Sequence, residues 1–518
     1  MNLTNKARQG IVSLLLITSA VMSYAASSDA GAKSDLPNIV FILADDMSFD
    51  SVSCLNDKIG NLETPEIDSL AKEGMIFEDG HSASSVCTPT RYGFMTGRYC
   101  WRTYLKSTVL WDYATPLIPK DRMTIAQMLK DKGYQTGMIG KWHLGMEWPG
   151  KNGEKLNALS FKRRGKKQIE EFEAKIDWKG KIVTPRANGF DYYFGDGVPN
   201  FAPYCWIEND HMVGTPTVLK PKGMHGRHGL MQEGCTFEQI LPKLTEKSVE
   251  YIKEATPKDE PYFLYVSLTS PHTPINPSAN FQGKSGVSIY ADFVIETDWV
   301  VGQIIDAIDA SGEADNTLVI FTADNGTSRV ANFDELKAGG IDIRAKFRGY
   351  KMQIYEGGHR VPLMVRWPKH IKAGTRNNQT VCLNDFFATF AELTGYQIQD
   401  NEGEDSYSIL PLITGKSETL PDHPAIVHHD YGGQFAIRSK QWKLIIPKNN
   451  KGSQLFNMVD DVREQKNIAD QHPEVVEELT AALQKIIDDG RSTEGEVQQN
   501  FNGETSWVGT PGTPYPKK

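Results

Sequence analysis

The stretch Asn38-Ile-Val-Phe-Ile-Leu43, which continues into Ala44-Asp45-Asp46, decides the fold class. A continuous apolar, β-prone run that ends in polar groups is typical of a strand buried on both faces of a sheet. The same arrangement returns at 261–267 before His272, and at 317–321 before Asp324-Asn325. Because ligands of open α/β sheets bind at the carboxyl ends of the strands, we expect a functional site there.

Helical patterns lie between these strands, at 124–131, 237–254 and 289–310. Alternating strands and helices predict an α/β fold, with a mostly parallel sheet sandwiched by helices, in a domain of residues 34–410. A run rich in Lys, Arg, Glu and Gly at 151–181 interrupts the alternation. We interpret it as a solvated surface insertion.

A smaller domain is predicted from about Pro411. Its apolar segments are short, at 425–428, 435–438 and 442–446, and a helical pattern follows at 473–489. This change predicts a C-terminal α+β domain of residues 411–490, built on an antiparallel sheet. Residues 491–518 are rich in Gly, Thr, Pro and Gln and are predicted to form an extended tail.

The composition limits the classes of function. The 518 residues include 65 acidic and 56 basic side chains, giving a net charge of −9, and 39% are hydrophobic. These proportions are typical of a globular protein with large cores and exclude a disordered or membrane-embedded chain. The acidic balance excludes a general nucleic-acid binder, which needs a surplus of Lys and Arg. An anionic ligand must therefore be held by a local pocket.

The first residues have the pattern of a secretory signal peptide at 1–25. Lys6 and Arg8 precede the apolar run 11–22, and Ser23-Tyr24-Ala25 supplies small residues before a cleavage site. The run is shorter than the about 20 apolar residues of a membrane span, which disfavours the alternative of an uncleaved anchor. We expect a periplasmic or secreted protein with no integral membrane segment after cleavage.

The most informative motif is Cys87-Thr88-Pro89-Thr90-Arg91, followed by Thr96-Gly97-Arg98. An isolated cysteine in such a place is usually an ordinary buried thiol. The pattern Cys-x-Pro-x-Arg before Thr-Gly-Arg, however, resembles the signature of the type I sulfatase family of the alkaline-phosphatase superfamily. The resemblance implies that a formylglycine-generating enzyme or an anaerobic sulfatase-maturating enzyme oxidises Cys87 to Cα-formylglycine (3-oxoalanine).

Further blocks resemble the same family in order and spacing. They are Asp45-Asp46, 140–145, His272, 324–326, and 349–351 with 356–358. Residues 455–469 resemble the segment that closes the family's small C-terminal sheet, and the layout around 189–194 is similar to its arylsulfatase A and N-acetylgalactosamine-6-sulfatase members. The resemblance covers most of the chain and implies an alkaline-phosphatase-like catalytic domain.

Oxygen-bearing side chains at two strand ends indicate a site for one hard divalent cation. Asp45, Asp46, Asp324 and Asn325 offer only oxygen ligands, which Ca²⁺ and Mg²⁺ prefer and Zn²⁺ does not require. A helix cap explains one such aspartate but not two acidic clusters. The resemblance implies one Ca²⁺ ion, held by these four residues together with formylglycine at Cys87.

The resemblance also implies the roles of the reacting groups in sulfate ester hydrolysis. Hydrated formylglycine at Cys87 would supply the nucleophile, carry a covalent sulfate intermediate and expel sulfate in a second step. Asp324 would assist deprotonation of the attacking oxygen. His272 would protonate the leaving oxygen, and His143 would take the proton of the remaining hydroxyl.

Three cationic side chains within the motif blocks are expected to hold the anion. Lys141 and Lys351 would bind sulfate oxygens as point charges, and Arg91 would brace the region of formylglycine and metal. The negative net charge then concentrates the cationic binding energy at these three residues and the metal ion.

The substrate is predicted to be a sulfated carbohydrate, with glycosaminoglycans and algal polysaccharides both open. Trp101 and Arg102 follow the Thr-Gly-Arg turn, and a loop-like region supplies Tyr204, Trp206 and His211. An aromatic face beside hydrogen-bonding groups suits a sugar ring. A buried aromatic cluster under a surface insertion explains the same residues and is the open alternative.

Two other functions stay open at this point. One is a phosphatase, phosphodiesterase or phosphonate hydrolase of the same superfamily. Its two-zinc members carry histidine where this chain has Asn325, while some relatives use formylglycine on phosphonates or diesters. A non-catalytic binder of sulfated glycans would be expected to lack Cys87, His143 or His272, and all three are present.

The cysteine count depends on the fate of Cys87. If Cys87 becomes formylglycine, five of the six cysteines remain as thiols, so at most two intrachain disulfides can form. The remaining cysteines are Cys54, Cys100, Cys205, Cys235 and Cys382.

Overall fold

The computed structural model describes residues 36–156, 165–447 and 452–501, and the structural statements below refer to these residues. The predicted signal peptide at 1–25 and the predicted tail from 502 onward lie outside the described residues.

The strands alternate with helices along the first three quarters of the chain and are short thereafter. They are β1 (Asn38–Ala44), β2 (Met75–Phe77), β3 (Gly80–His81), β4 (Gln135–Lys141), β5 (Trp148–Pro149), β6 (Lys155–Leu156), β7 (Tyr192–Gly197), β8 (Trp206–Glu208), β9 (His211–Val213), β10 (Val218–Leu219), β11 (Leu230–Met231), β12 (Tyr262–Ser267), β13 (Thr317–Ala323), β14 (Leu363–Arg366), β15 (Thr375–Asn377), β16 (Val381–Cys382), β17 (Ile426–His429), β18 (Phe435–Ser439), β19 (Trp442–Ile445) and β20 (Gln454–Asn457).

The α-helices are α1 (Pro65–Glu73), α2 (Cys87–Thr96), α3 (Ile125–Asp131), α4 (Lys166–Glu173), α5 (Ile240–Ala255), α6 (Ile289–Ala310), α7 (Phe333–Ala338), α8 (Glu356–His359), α9 (Phe386–Thr394), α10 (Leu410–Ile413) and α11 (Pro473–Asp488).

One large sheet forms the centre of the molecule, in the strand order β15-β2-β14-β13-β1-β12-β4-β7-β8-β9. The five central strands, β13 to β7 in that order, pair in parallel. The strands β14 and β8, on either side of them, pair antiparallel. The prediction of a mostly parallel sheet is therefore confirmed, with the addition of antiparallel edges.

Helices cover both faces of this sheet. Phe41 of β1 stacks on Phe94 of α2, with ring centroids 4.1 Å apart, and meets Phe386 of α9 at 5.2 Å. On the opposite face, Gly137 of β4 leaves room for Tyr251 of α5, since an added Cβ would lie 2.5 Å from that ring. Burial of β1, β12 and β13 on both faces explains why their sequences are continuously apolar.

The C-terminal region forms the predicted small antiparallel sheet, in the order β17-β18-β19-β20. Helix α11 packs on it through Leu479, Leu483 and Ile487, in an apolar cluster that also includes Trp101 of the main body. This confirms the predicted α+β architecture, and residues 36–156, 165–447 and 452–501 belong to one compact unit.

Two surface predictions need correction. The segment 151–181 is not simply solvated, because α4 buries Ile169 and Phe172, and its Glu173 accepts a 2.6 Å hydrogen bond from the Tyr113 hydroxyl. The first part of the predicted tail also packs on the body, where the side-chain amide of Asn500 donates to the Ile487 carbonyl at 2.7 Å. Charged composition concealed the contacts of α4, and polar composition concealed that of Asn500, because a few apolar or amide groups are enough to dock a segment.

All six cysteines are described and unpaired. Among the described residues, no helix combines the length and apolarity needed to cross a membrane.

Candidate active site

Four neighbouring parallel strands deliver polar groups to the same edge of the sheet. Asp45 and Asp46 follow β1, Asp324 and Asn325 follow β13, and Lys141 ends β4. His272 follows β12, and His143 follows Lys141 by two residues. These side chains lie close together, as predicted, because neighbouring parallel strands end at the same edge of the sheet.

Carboxylates and ammonium groups pair closely at this edge. The Lys141 Nζ donates to Asp45 Oδ2 at 2.6 Å, and the Lys351 Nζ donates to Asp46 Oδ1 at 2.5 Å. The Asn325 amide also donates to Asp46 Oδ1, at 2.7 Å. Asp45, Asp46 and Lys141 are buried, so these pairs act in a medium of low dielectric constant.

Cys87 is the first residue of α2 and is buried against the carboxylates. Its Sγ and one carboxylate oxygen from each of Asp45 and Asp324 lie within 4.8 Å of one another. One turn later, Arg91 donates to Asp324 Oδ2 from Nε at 3.0 Å and from Nη2 at 2.8 Å. Its Nη1 donates to the Lys141 carbonyl at 2.9 Å. Arg91 therefore fixes the start of α2 against two strand ends.

The two predicted catalytic histidines flank this cluster. His272 Nε2 lies 3.7 Å from Asp46 Oδ2, and the side chain is 11% exposed. His143 Nε2 contacts the Leu110 carbonyl at 3.0 Å, while its Nδ1 is buried with no hydrogen-bond partner. An unpaired buried ring nitrogen is available to accept or donate a proton to a group bound in the site.

Backbone geometry supports a functional cluster at this edge. Asp46 has φ 62° and His143 has φ 55°, in the left-handed region that non-glycine residues rarely occupy. Such conformations cost free energy and persist where surrounding contacts impose them, often at functional sites.

The donor set fits a hard cation. Asp45 Oδ1 and Asn325 Oδ1 are both buried without a hydrogen-bond partner. Buried oxygens without partners are energetically costly, and a divalent cation supplies the interaction that each lacks. Asp46 and Asp324 add two more carboxylates beside them.

Burial and charge set the pKa values of the central groups in opposite directions. Burial opposes ionisation of Asp45, but Lys141 and Arg91 outweigh it and lower the pKa of that carboxyl. Burial together with the Asp45 charge raises the pKa of Asp324. Burial also raises the pKa of the Cys87 thiol, which keeps it protonated and a poor ligand for a hard cation.

Burial disfavours the charged form of both flanking histidines. Burial, reinforced by Lys141, lowers the pKa of His143 well below its usual value. Burial and the Lys351 charge do the same to the pKa of His272, although Asp46 partly offsets them.

Trp101 and Arg102 are not placed to contact a substrate, which corrects that prediction. Trp101 is 1% exposed and packs edge-on against Phe435 of the C-terminal sheet. Arg102 is fully buried and donates two 2.8 Å hydrogen bonds to Asp405. Both residues join the C-terminal region to the main body.

Of the other predicted substrate contacts, Trp206 and His211 lie in strands, whereas Tyr204 lies outside them and forms an isolated bridge with Met231. Tyr204 is buried and donates to the Arg227 carbonyl at 2.6 Å. Trp206 begins β8 and stacks on Phe194 of β7 at 5.0 Å, while His211 is exposed on β9. The alternative of a buried aromatic cluster therefore describes Tyr204.

A cavity of about 60 Å³ beside His143 involves residues that the sequence did not single out. Its lining is largely apolar and includes Trp111, Trp148, Phe201 and Asp196. Burial raises the pKa of Asp196 to about 7. Only folding brings these separate segments together, so no local pattern marks them.

The chain matches known families over most of its length. Residues 37–396 match the family model described as Sulfatase, and residues 348–491 match that of N-sulphoglucosamine sulphohydrolase, C-terminal. An N-acetylgalactosamine-6-O-sulfatase of Bacteroides thetaiotaomicron is 31% identical over 517 residues, covering 88% of this chain and 94% of the relative. Human steryl-sulfatase is 29% identical over 445 residues, covering 78% and 73%.

Two solved structures are similar to this chain over most of its length. A sulfatase structure from work on glycosaminoglycan metabolism by Bacteroides thetaiotaomicron has a TM-score of 0.75 at 29% identity, covering 88% of this chain and 99% of its own. The structure of Ps i-CgsB with k-i-k-neocarrahexaose has a TM-score of 0.67 at 25% identity, covering 89% and 95%.

Fold and site together define a hydrolase of the alkaline-phosphatase superfamily. Within it, the chain belongs to the sulfatase family and is a sulfuric ester hydrolase.

Proposed function

We propose that this enzyme removes sulfate from a sulfated carbohydrate, using formylglycine formed from Cys87 and one bound Ca²⁺. The observation that carries the proposal is the position of Cys87 at the start of α2, buried against Asp45 and Asp324. An ordinary thiol there is mismatched to the oxygen donors around it, whereas formylglycine is an oxygen-bearing group.

Asp45, Asp46, Asp324 and Asn325 would hold the cation. Two of them, Asp45 and Asn325, each bring a buried oxygen without a hydrogen-bond partner. When bound, the ion supplies positive charge that stabilises the sulfate oxygens, and formylglycine supplies the nucleophilic hydroxyl.

Lys141 and Lys351 would bind the oxygens of the sulfate group. In the structure Lys141 pairs with Asp45 and Lys351 pairs with Asp46, on the side where the cation would bind. Cation binding would satisfy these carboxylates and leave both ammonium groups able to donate to sulfate.

His272 would protonate the leaving oxygen of the sugar. Burial and the Lys351 charge lower its pKa, and an arriving sulfate anion would raise that pKa by favouring the charged ring. His143, with its unpaired Nδ1, would exchange a proton with the residue at position 87.

A carbohydrate substrate is supported by the relatives. One of them is named an N-acetylgalactosamine-6-O-sulfatase, and one structural neighbour was solved with a carrageenan-type hexaose. The cavity beside His143 offers the apolar surface on which a sugar face can pack.

Kinetic comparison of substrates tests this proposal. We expect turnover of defined sulfated mono- or oligosaccharides, and a higher kcat/KM for an aryl sulfate than for the matching aryl phosphate. A preference for the phosphate would refute the assignment and favour a phosphatase or phosphonate hydrolase.

Mass analysis of the peptide containing Cys87 tests maturation separately. Protein from its native source, or coexpressed with a maturation enzyme, should carry formylglycine at position 87. Unmodified cysteine in native protein would instead favour a non-catalytic glycan binder.

We also propose that the enzyme works in the periplasm or outside the cell. The basic and apolar pattern at 1–25 supports this location. N-terminal sequencing of native protein should find a start after Ala25, and an intact N-terminus would contradict it.

A further inference from the structure

Three buried histidines from distant parts of the chain meet outside the Cys87 cluster. They are His81 at the end of β3, His359 at the end of α8 and His428 in β17, and none is exposed. One ring nitrogen from each lies within 4.8 Å of the others. They occupy the seam between the main body and the C-terminal sheet.

The second nitrogen of each ring faces an oxygen acceptor. The three pairs are His81 Nε2 with Asp79 Oδ1 at 2.6 Å, His359 Nε2 with the Ile354 carbonyl at 3.1 Å, and His428 Nδ1 with the Ser82 carbonyl at 3.0 Å. Histidines that bind metals typically donate their other N–H to a carboxylate or carbonyl in this way. When these outer nitrogens carry the protons, the inner nitrogens carry lone pairs. The inner nitrogens are His81 Nδ1, His359 Nδ1 and His428 Nε2.

The inner nitrogens lack satisfactory partners in that arrangement. His81 Nδ1 and His359 Nδ1 lie 3.1 Å apart, and His428 Nε2 is buried without a hydrogen-bond partner.

An arrangement without an ion satisfies the cluster only in part. Lys443 Nζ lies 3.0 Å from His359 Nε2 and can donate to it, so that His359 Nδ1 donates to His81. In this arrangement the Ile354 carbonyl loses its hydrogen bond from His359 Nε2, and His428 Nε2 is still unpaired. When Lys443 does not donate to His359, it still has two carboxylate partners, because its Nζ contacts Glu356 at 2.9 Å and Glu464 at 2.7 Å.

We propose that His81, His359 and His428 form a structural site for one transition-metal ion of the zinc type, which staples the C-terminal sheet to the main body. Imidazole ligands suit Zn²⁺, with nitrogen-to-metal distances of about 2.0–2.1 Å. The His359 and His428 rings stack at 3.9 Å with an angle of 13°, so binding of one ion by both requires one of these rings to turn out of the stack. Glu356, 4.0 Å from His81 Nε2, offsets part of the added charge.

The decisive variant is His428→Asn. The asparagine amide can still donate to the Ser82 carbonyl in place of Nδ1, but the variant lacks the inner nitrogen Nε2. His429→Asn is the matched control, because His429 is the next buried residue of the same strand and does not belong to the cluster.

The full chain is expressed without an affinity tag in medium containing ZnCl₂ and dialysed against buffer with excess Ca²⁺, which occupies oxygen-ligand sites. We expect about one zinc per chain by elemental analysis, in the parent and in His429→Asn, and at least a tenfold lower content in His428→Asn. X-ray absorption of the zinc protein should show imidazole nitrogen neighbours.

Zinc below about one tenth per chain in the parent, or an environment of oxygen ligands only, would overturn the proposal. So would equal zinc contents in the three proteins. If His428→Asn does not fold, the stoichiometry and the absorption spectrum of the parent decide the matter.

Discussion

Single residues at the strand ends were the most predictable part of this enzyme. Cys87, Arg91 and Lys141 were selected from short motifs, and the structure brings them together with Asp45 and Asp324. Their side chains follow strand or helix ends whose positions are fixed by local sequence. A short motif therefore predicts where its side chains lie when the strands and helices around it are regular.

The role proposed for His272 predicts a dependence on the leaving group. His272→Gln should lower kcat/KM for a sugar sulfate by about 10²–10⁴-fold, because a sugar alkoxide needs a proton as it leaves. For 4-nitrophenyl sulfate, whose leaving group needs little protonation, the loss should be much smaller. Steady-state kinetics on both substrates measures the ratio, with the exposed His370→Gln as control. Equal losses on the two substrates would rule out the acid role.

A buried carboxyl outside the proposed chemistry predicts a pH effect on stability. Burial raises the pKa of Asp50 to about 6, although the Lys346 backbone N–H donates to it. A raised folded-state pKa means that Asp50 contributes its full stability below its unfolded pKa and loses it as pH rises through about 6.

Asp50→Asn should therefore gain stability relative to the parent between about pH 4 and about pH 7, by about 1–3 kcal/mol. Urea unfolding across that range measures the change, with the exposed Asp57→Asn as control. A difference that does not vary with pH would contradict the assigned environment of Asp50.

At the scale of elements, strands and helices with strong periodicity were predicted closely. Helix α6 spans Ile289–Ala310 as expected, and the apolar runs became β1, β12 and β13. The strands β8 and β9 were missed, because three-residue strands are too short to show alternation. Their existence depends on the edge of β7, to which β8 pairs.

The junction of β4 with β12 makes a prediction about Gly140. This residue has φ 111°, and an added Cβ would lie 1.9 Å from the Ser267 carbonyl oxygen. Gly140→Ala should displace the adjacent Lys141 and lower kcat/KM by about 10²-fold, as expected for a misplacement of about 1 Å.

Gly133→Ala is the matched control, since Gly133 has φ 88° but nothing within 4 Å of an added Cβ. The Gly133→Ala variant should have the same unfavourable positive φ as Gly140→Ala, but it should keep the activity of the parent. Similar activity in the two variants would show that contact with β12 does not set the position of Lys141.

For the whole molecule, the C-terminal region is held on the body by buried polar contacts as well as by apolar packing. Arg102 pairs with Asp405 and also donates to the Ile486 carbonyl of α11 at 3.1 Å and to Asn500 at 3.0 Å. One side chain thus ties together the body, the last helix and the following segment.

Arg102→Leu should destabilise the protein by about 3–5 kcal/mol, because it leaves Asp405 buried without its cation. Adding Asp405→Asn should recover part of this loss, since a neutral amide is less costly to bury. Guanidinium unfolding of the single and double variants measures both effects. Simple additivity of the two substitutions would mean that the residues are not coupled.

The sequence by itself determined the class of fold and the small antiparallel sheet, and it selected residues that the structure brings together as the candidate active site. These follow from local features, namely continuous apolar runs, helical periodicity and polar groups directly after strands. The composition also determined that cationic groups for an anionic substrate would be local.

Only the tertiary structure decided which aromatic and charged residues are buried and what they contact. Trp101 and Arg102 were predicted as substrate contacts beside a motif, yet both are enclosed by segments more than 300 positions away. The histidine cluster likewise joins His81, His359 and His428, which share no local pattern. Burial and partners depend on long-range packing, whereas motifs and periodicity record only the neighbours along the chain.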